Sequence, residues 1–195
     1  MTGERIAVKQ IDHRALAHYL LDRAGAWRLW QRSRNRRAFV MGCVCPDYLP
    51  TTYLRGFGRS HAMRGHNAIY STAYMQRTLQ RLQENGVRGL RDCYTLGSLI
   101  HYLADSFTHA HNVAFSGDMR AHRRYEERLH RHMERYLRQS DRAPFVPPTE
   151  DPAPLESWYR IRRDYEREGD EYARDCRAIV EACSAIFCAL SAKIP

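Results

Sequence analysis

The chain has 195 residues, 44% of them apolar by a broad count, which is enough for one sizeable core and too few for two full domains. It holds no unbroken run of about 18 apolar residues, so no transmembrane helix is expected, and Met1 to Gln10 lacks the apolar core of a secretory signal, so the sequence reads as cytoplasmic as given. The net charge of +9 would suit nucleic acid or an anionic membrane, but 29 of the 31 basic residues are Arg spread over the whole chain, so charge alone designates neither partner.

Apolar residues Leu16, Leu20, Ala24 and Trp27 recur at helical spacing, with Asp12 placed to cap that helix and His13 on the same inward stripe. The densest basic cluster, Arg32, Arg34, Arg36 and Arg37, follows Trp27 and Trp30 and reads as a solvated helix end rather than a phosphate-binding surface. Residues 42 to 60 contain Gly42, Pro46, Pro50, Gly56 and Gly58, too many breakers for a long helix, and read as an ordered loop. A helix resumes near Asn67 and stops at Asn85-Gly86.

From Asp92 to about His109 the stripe Leu96, Leu99, Ile100, Leu103 and Phe107 defines a mostly buried helix. Another runs from Met119 to Arg138 with Leu129, Met133 and Leu137 inward, a Pro-rich loop covers 143 to 154, and two more helices follow at about 155 to 168 and 170 to 191. No strand-like alternation competes, so the expected fold is all-α, a single compact multi-helix domain over residues 1–195. Of the six cysteines, Cys176, Cys183 and Cys188 sit among Ile179, Val180, Ile186 and Phe187 and read as buried thiols. Cys43 and Cys45, just before Pro46, read as reduced packed thiols ahead of a zinc role.

The chemistry lies in the histidines. His101 and Asp105 stand one helical turn apart, about 6 Å along the axis, so an imidazole and a carboxylate leave one face and can hold one metal ion. His122 and Glu126 repeat the arrangement on the next helix, in line with the inward Leu129 and Met133. A lone pair of this kind is more often a helix-stabilising hydrogen bond. Two such pairs on inward faces, with His13 and the loop carboxylate Asp47, point instead to a metal site. His130 with Glu134, His18 and His132 read as partly exposed helix residues.

The run His101-Tyr102-Leu103-Ala104-Asp105, ending at His111-Asn112, resembles the central helix of the zinc-dependent bacterial phospholipases C, whose fold is shared with fungal single-strand nucleases. Pro46-Asp47-Tyr48 resembles the family's loop aspartate, Ser60-His61 a zinc histidine, His122-Arg123-Arg124-Tyr125-Glu126 its His-x-x-Tyr-Glu ligand pair, and His13 with Leu16-Ala17 and Tyr19-Leu20 its N-terminal ligand helix. The likeness spans about residues 12 to 126. It implies two to three zinc ions: one held by His61, His101 and Asp105, a second by His13 and a shared oxygen of Asp105, a third by His111, His122 and Glu126, with Asp47 beside the attacking water.

The family's secreted enzymes use a processed N-terminal Trp amine as a further ligand, whereas this chain starts at Met1. His66 competes with His61, which the spacing of fourteen residues from Asp47 favours. His109 competes with His111, since at 100° per residue both lie about 80° from His101 on opposite sides; the family spacing after Asp105 favours His111. The function implied is a zinc-dependent phosphoric diester hydrolase that releases a phosphorylated head group from a phospholipid or other phosphoester, with transient membrane-surface contact. Nucleic-acid cleavage on the same fold is the second choice, and a non-catalytic zinc-binding helical protein the third.

Overall fold

The computed structural model describes residues 7–48, 68–111, 118–141, 145, 153–165 and 171–192. Among them eight α-helices run in the order α1 (Ala7–Arg23), α2 (Arg28–Gln31), α3 (Ser33–Val44), α4 (Ala68–Asn85), α5 (Leu90–Ser106), α6 (Met119–Gln139), α7 (Pro154–Tyr165) and α8 (Glu171–Ser191). Two 3₁₀ turns, Cys45–Asp47 and His109–His111, continue α3 and follow α5. The described residues contain no strand, as the sequence periods require, and none of their helices is long and apolar enough to cross a membrane.

Helix boundaries follow local chemistry. Gly86 takes φ +72°, a left-handed value that glycine adopts without a Cβ penalty, and its N–H bonds back to the Leu82 carbonyl to end α4. Asp118 caps α6, its Oδ1 accepting from the N–H groups of Arg120 at 3.0 Å and Ala121 at 2.8 Å. A cap of this kind is worth about 1 kcal/mol, and it fixes where α6 begins, three residues before His122.

α5 is the central helix, buried from Leu96 to Ser106 and packed against α3, α4 and α8. The α3–α5 contact is the closest in the bundle because glycines face each other across it. A Cβ at Gly42 would lie 2.1 Å from the Tyr94 carbonyl oxygen, and one at Gly97 would lie 2.2 Å from the Phe39 carbonyl oxygen. Toward the C-terminal ends of α1 and α8 an aromatic cluster fills the core, with Trp30 stacked on Phe187 at 5.2 Å and packed on Phe39 at 5.3 Å, and Trp27 stacked on Phe187 at 6.2 Å.

Two expectations need correcting. Asp12 does not cap α1: the helix begins by Ala7, and Asp12 lies within it, its Oδ1 2.6 Å from Nδ1 of His130 on α6. His130, partly exposed as expected, is thereby partnered across the bundle by Asp12. Burial pushes the Asp12 carboxyl above its ordinary range, opposed by the hydrogen bond and charge of His130. The loop expected over residues 42 to 60 is wrong at its start, because α3 runs through Gly42 and Cys43 to Val44 and a 3₁₀ turn follows; glycine there serves close packing and does not break the helix, and residues 49–60 lie outside the described residues. The Arg32 to Arg37 cluster is the solvated helix end that was expected, at the N-terminal end of α3 and exposed except for Arg36, which bonds the Leu21 carbonyl and Asp22.

All six cysteines are free thiols. Cys43, Cys93, Cys176 and Cys183 are buried, and Cys188 is half-buried. Burial pushes the Cys93 and Cys188 thiols up to about 12.

Candidate metal centre

The histidines and carboxylates gather toward one end of the bundle, opposite the aromatic cluster. α1 supplies His13 from its first half, α5 supplies His101 and Asp105 from its last two turns, and α6 supplies His122 and Glu126 from its first two. The 3₁₀ turns add the remaining two side chains. Pro46 occupies the first of them, and its fixed φ favours the tight bend that presents Asp47 beside α5. At the second, α5 stops at Ser106, the Thr108 N–H bonds the Asp105 carbonyl at 3.0 Å, and the His111 N–H bonds the Thr108 carbonyl at 2.9 Å. This return folds His111 back toward Asp105.

Two groups of metal-ligating side chains result, His13 with Asp47 and His101, and His111 with His122 and Glu126, the donor atoms of each lying within 4.8 Å of one another. Asp105 stands between them. Its Oδ1 is 3.3 Å from His13 Nε2, and its Oδ2 is 3.5 Å from His101 Nε2 and 3.9 Å from His111 Nδ1. In the first group Asp47 Oδ1 is 3.6 Å from His101 Nε2, and the His13 and His101 rings lie 4.0 Å apart. In the second, Glu126 Oε1 is 3.0 Å from His122 Nε2 and 3.4 Å from His111 Nε2.

This donor set fits zinc. Four ligands at metal distances of about 2.0–2.2 Å around a tetrahedron stand about 3.3–3.6 Å from one another; the 3.3, 3.5 and 3.6 Å spacings around His13, His101, Asp47 and Asp105 and the 3.4 Å between His111 and Glu126 fall there, while His122–Glu126 at 3.0 Å and His111–Asp105 at 3.9 Å lie to either side. The protonation pattern agrees. His101 Nδ1 lies 2.9 Å from the Cys43 carbonyl oxygen, an acceptor only an N–H satisfies, so the neutral ring carries its lone pair on Nε2. That lone pair faces carboxylate oxygens of both Asp47 and Asp105. Three acceptors facing one another repel unless a cation lies among them. His101 is 0% exposed and Asp105 2%, and burying such groups without a counter-charge is costly.

The sequence-derived residues divide as follows. His13, Asp47, His101, Asp105, His111, His122 and Glu126 come together in the two groups and the carboxylate between them. His61 and His66 lie outside the described residues. His109 turns the other way, its Nε2 3.0 Å from Glu171 of α8, and joins neither group. His18 is exposed, while His132 stacks on Tyr172 at 5.1 Å. Tyr48 is 59% exposed beside Asp47.

One group escaped the sequence reading. Asp175 of α8 is 0% exposed and accepts hydrogen bonds from the His109 N–H, the Tyr125 hydroxyl and the Tyr165 hydroxyl. Its signal was a carboxylate on the inward i, i+4 stripe with Ile179 and Cys183, a place where an acid is rare without partners. Burial raises its pKa, opposed by those hydrogen bonds and by Arg174; the buried Tyr125 and Tyr165 hydroxyls are pushed up in turn by burial and by the neighbouring carboxylate.

Fold and donor set together define an all-α helical bundle with a metal-ligating cluster at one end. A family model described as zinc dependent phospholipase C matches residues 11–187, and the chain belongs to that family. No curated protein and no solved structure matches it.

Proposed function

We propose that the protein is a zinc-dependent phosphodiesterase of the phospholipase C type, cleaving a phospholipid between the glycerol oxygen and phosphorus to release diacylglycerol and a phosphorylated head group. The observation that carries this reading is Asp105, a buried carboxylate whose two oxygens face His13 and His101 of the first group while Oδ2 also lies 3.9 Å from Nδ1 of His111 in the second. A carboxylate so placed between two groups suits ions held a few ångströms apart, the arrangement that serves in-line displacement at phosphorus.

His13, Asp47 and His101 are assigned one ion with Asp105, and His111, His122 and Glu126 another. Bound zinc would supply Lewis-acid neutralisation of the phosphoryl oxygens and lower the pKa of an attacking water toward about 7. The Cys43 carbonyl holds His101 in one tautomer and orientation, the outer support that ligating histidines generally need. Asp47 is given two duties: one oxygen completes the first group with His13 and His101, while the other accepts the proton of the attacking water. Glu126, less buried than Asp105, would share the second ion with His111 and His122 through Oε1 and balance part of its charge.

Lipid is preferred to nucleic acid as substrate because single-strand binding calls for aromatic rings presented on a basic groove. Trp27 and Trp30, the aromatic residues beside the Arg32 to Arg37 cluster, are both buried in the core, Trp30 at 1% exposure. The substrate resides in a lipid surface, so transient membrane contact belongs to the same proposal.

The test is a side-by-side assay of phosphatidylcholine-type vesicles, a soluble phosphocholine ester and single-stranded DNA, each with and without chelator. Chelator-sensitive release of diacylglycerol is the expected result. Chelator-sensitive DNA cleavage without lipid turnover would put a nuclease in its place, and turnover of none of the three would leave a non-catalytic zinc protein.

A further inference from the structure

We infer that Asp175 is a positioning residue that builds the second metal group, His111 with His122 and Glu126, while leaving the first untouched. This rests on the proposed reading that these groups hold zinc.

The second group is drawn from two stretches of chain that do not support each other by themselves. His111 sits in a 3₁₀ turn after α5 has ended, and His122 and Glu126 sit near the start of α6. A one-turn 3₁₀ segment has few bonds of its own and needs an external anchor. Asp175 Oδ2 provides one by accepting from the His109 N–H at 2.7 Å, at the first residue of the turn and two before His111. The same oxygen accepts from the hydroxyl of Tyr125, the residue adjacent to Glu126 and three after His122. One carboxylate oxygen therefore ties both stretches to α8.

The other oxygen fastens the anchor. Asp175 Oδ1 accepts from the Tyr165 hydroxyl of α7 at 2.9 Å and lies 3.4 Å from both Nε and a terminal nitrogen of Arg174. A carboxylate offers about four acceptor sites, and donors from the turn, α6, α7 and α8 converge on this one. Rings close around it: Tyr125 stacks on Tyr172 at 5.0 Å, Arg174 lies over Tyr165 at 4.5 Å, and Tyr165 meets the edge of Phe107 at 5.4 Å. None of these contacts reaches His13, Asp47 or His101, whose support comes from α1, from the turn after α3 and from the Cys43 carbonyl.

Asp175→Asn keeps the shape but leaves one acceptor oxygen, uncharged, and an NH₂ that meets donors on one side or the other, so the His109 and Tyr125 bonds are lost or weakened together with the fastening by Tyr165 and Arg174. Loss of an outer support typically weakens a metal site by about 10- to 100-fold.

The experiment is zinc titration of the metal-free full chain by calorimetry, followed with cobalt(II) absorption as a site-sensitive probe. Wild type, Asp175→Asn, His122→Ala, His13→Ala and the two double variants would be compared. Asp175→Asn should weaken one class of zinc site by about 10- to 100-fold and leave the other within twofold. The weakening should persist with His13→Ala and vanish with His122→Ala, where the supported group is already broken. Equal weakening of both classes, or an unchanged titration, would overturn the role. Should Asp175→Asn fail to fold, Tyr125→Phe removes one donor only and should show the same selectivity at smaller size; a non-selective effect there is equally fatal. A wild-type chain that takes up no zinc would overturn the functional reading itself.

Discussion

The facing glycines of α3 and α5 make a strong prediction about how backbone packing builds the metal centre. In Gly97→Ala the new Cβ would fall 2.2 Å from the Phe39 carbonyl oxygen and 2.9 Å from the Cys43 amide nitrogen. Ordinary carbon–oxygen contact needs about 3.3 Å or more, so the helices must part by about 1 Å. Both obstacles are backbone, so no side chain can swing aside. Overpacking of this kind costs about 1–3 kcal/mol, which for a chain of this size lowers Tm by about 2–12 °C.

The same displacement acts on the site. His101 lies one turn beyond Gly97, and its 2.9 Å bond to the Cys43 carbonyl crosses the widened interface, as does the 3.6 Å spacing to Asp47. Gly97→Ala should therefore lose zinc from the first group while the second retains it. Thermal unfolding with and without chelator, paired with zinc analysis, reads both effects. An alanine variant with unchanged Tm and full zinc would show that the α3–α5 contact is looser than described and that it does not set the position of His101.

Further outcomes follow from the same geometry. Asp105→Asn should reduce zinc at both groups, whereas His122→Ala should reduce it at one, read by metal analysis of each purified variant. Asp47→Asn should lower zinc affinity and, at saturating zinc, still depress hydrolysis by about 10² to 10⁴; full activity restored by excess zinc would leave Asp47 a ligand only. Burial, which pushes the Cys93 and Cys188 thiols up to about 12, keeps both protonated at pH 8. They should resist an aromatic disulfide reagent in the native protein and react on unfolding; rapid native labelling of either would contradict their burial. Chelation should lower Tm and added zinc restore it, because the ligands come from separate helices.

Much of this arrangement was legible before any coordinates. Periodicity placed α4 to α8 within a few residues of their ends, because strong apolar stripes and turn residues such as Gly86 act locally. The pairing of His101 with Asp105 and of His122 with Glu126 needs only the pitch of a helix. Periodicity could not choose between His109 and His111 because helical arithmetic stops applying at Ser106, where α5 ends; the 3₁₀ turn then sends His111 to the cluster and His109 to Glu171. Gly42 misled for a related reason, since a glycine that serves close helix contact looks in sequence like one that breaks a helix. Asp12 and Asp175 find partners more than sixty residues away, in His130 and in His109, which no local pattern encodes.

The central claim, that the two histidine groups and Asp105 form a zinc centre, is tested most directly by metal analysis of the purified protein. At least two equivalents of zinc per chain, falling in His101→Ala and Asp105→Asn, is the predicted result. A fully folded, metal-free protein that shows no heat of binding when zinc is added would contradict it.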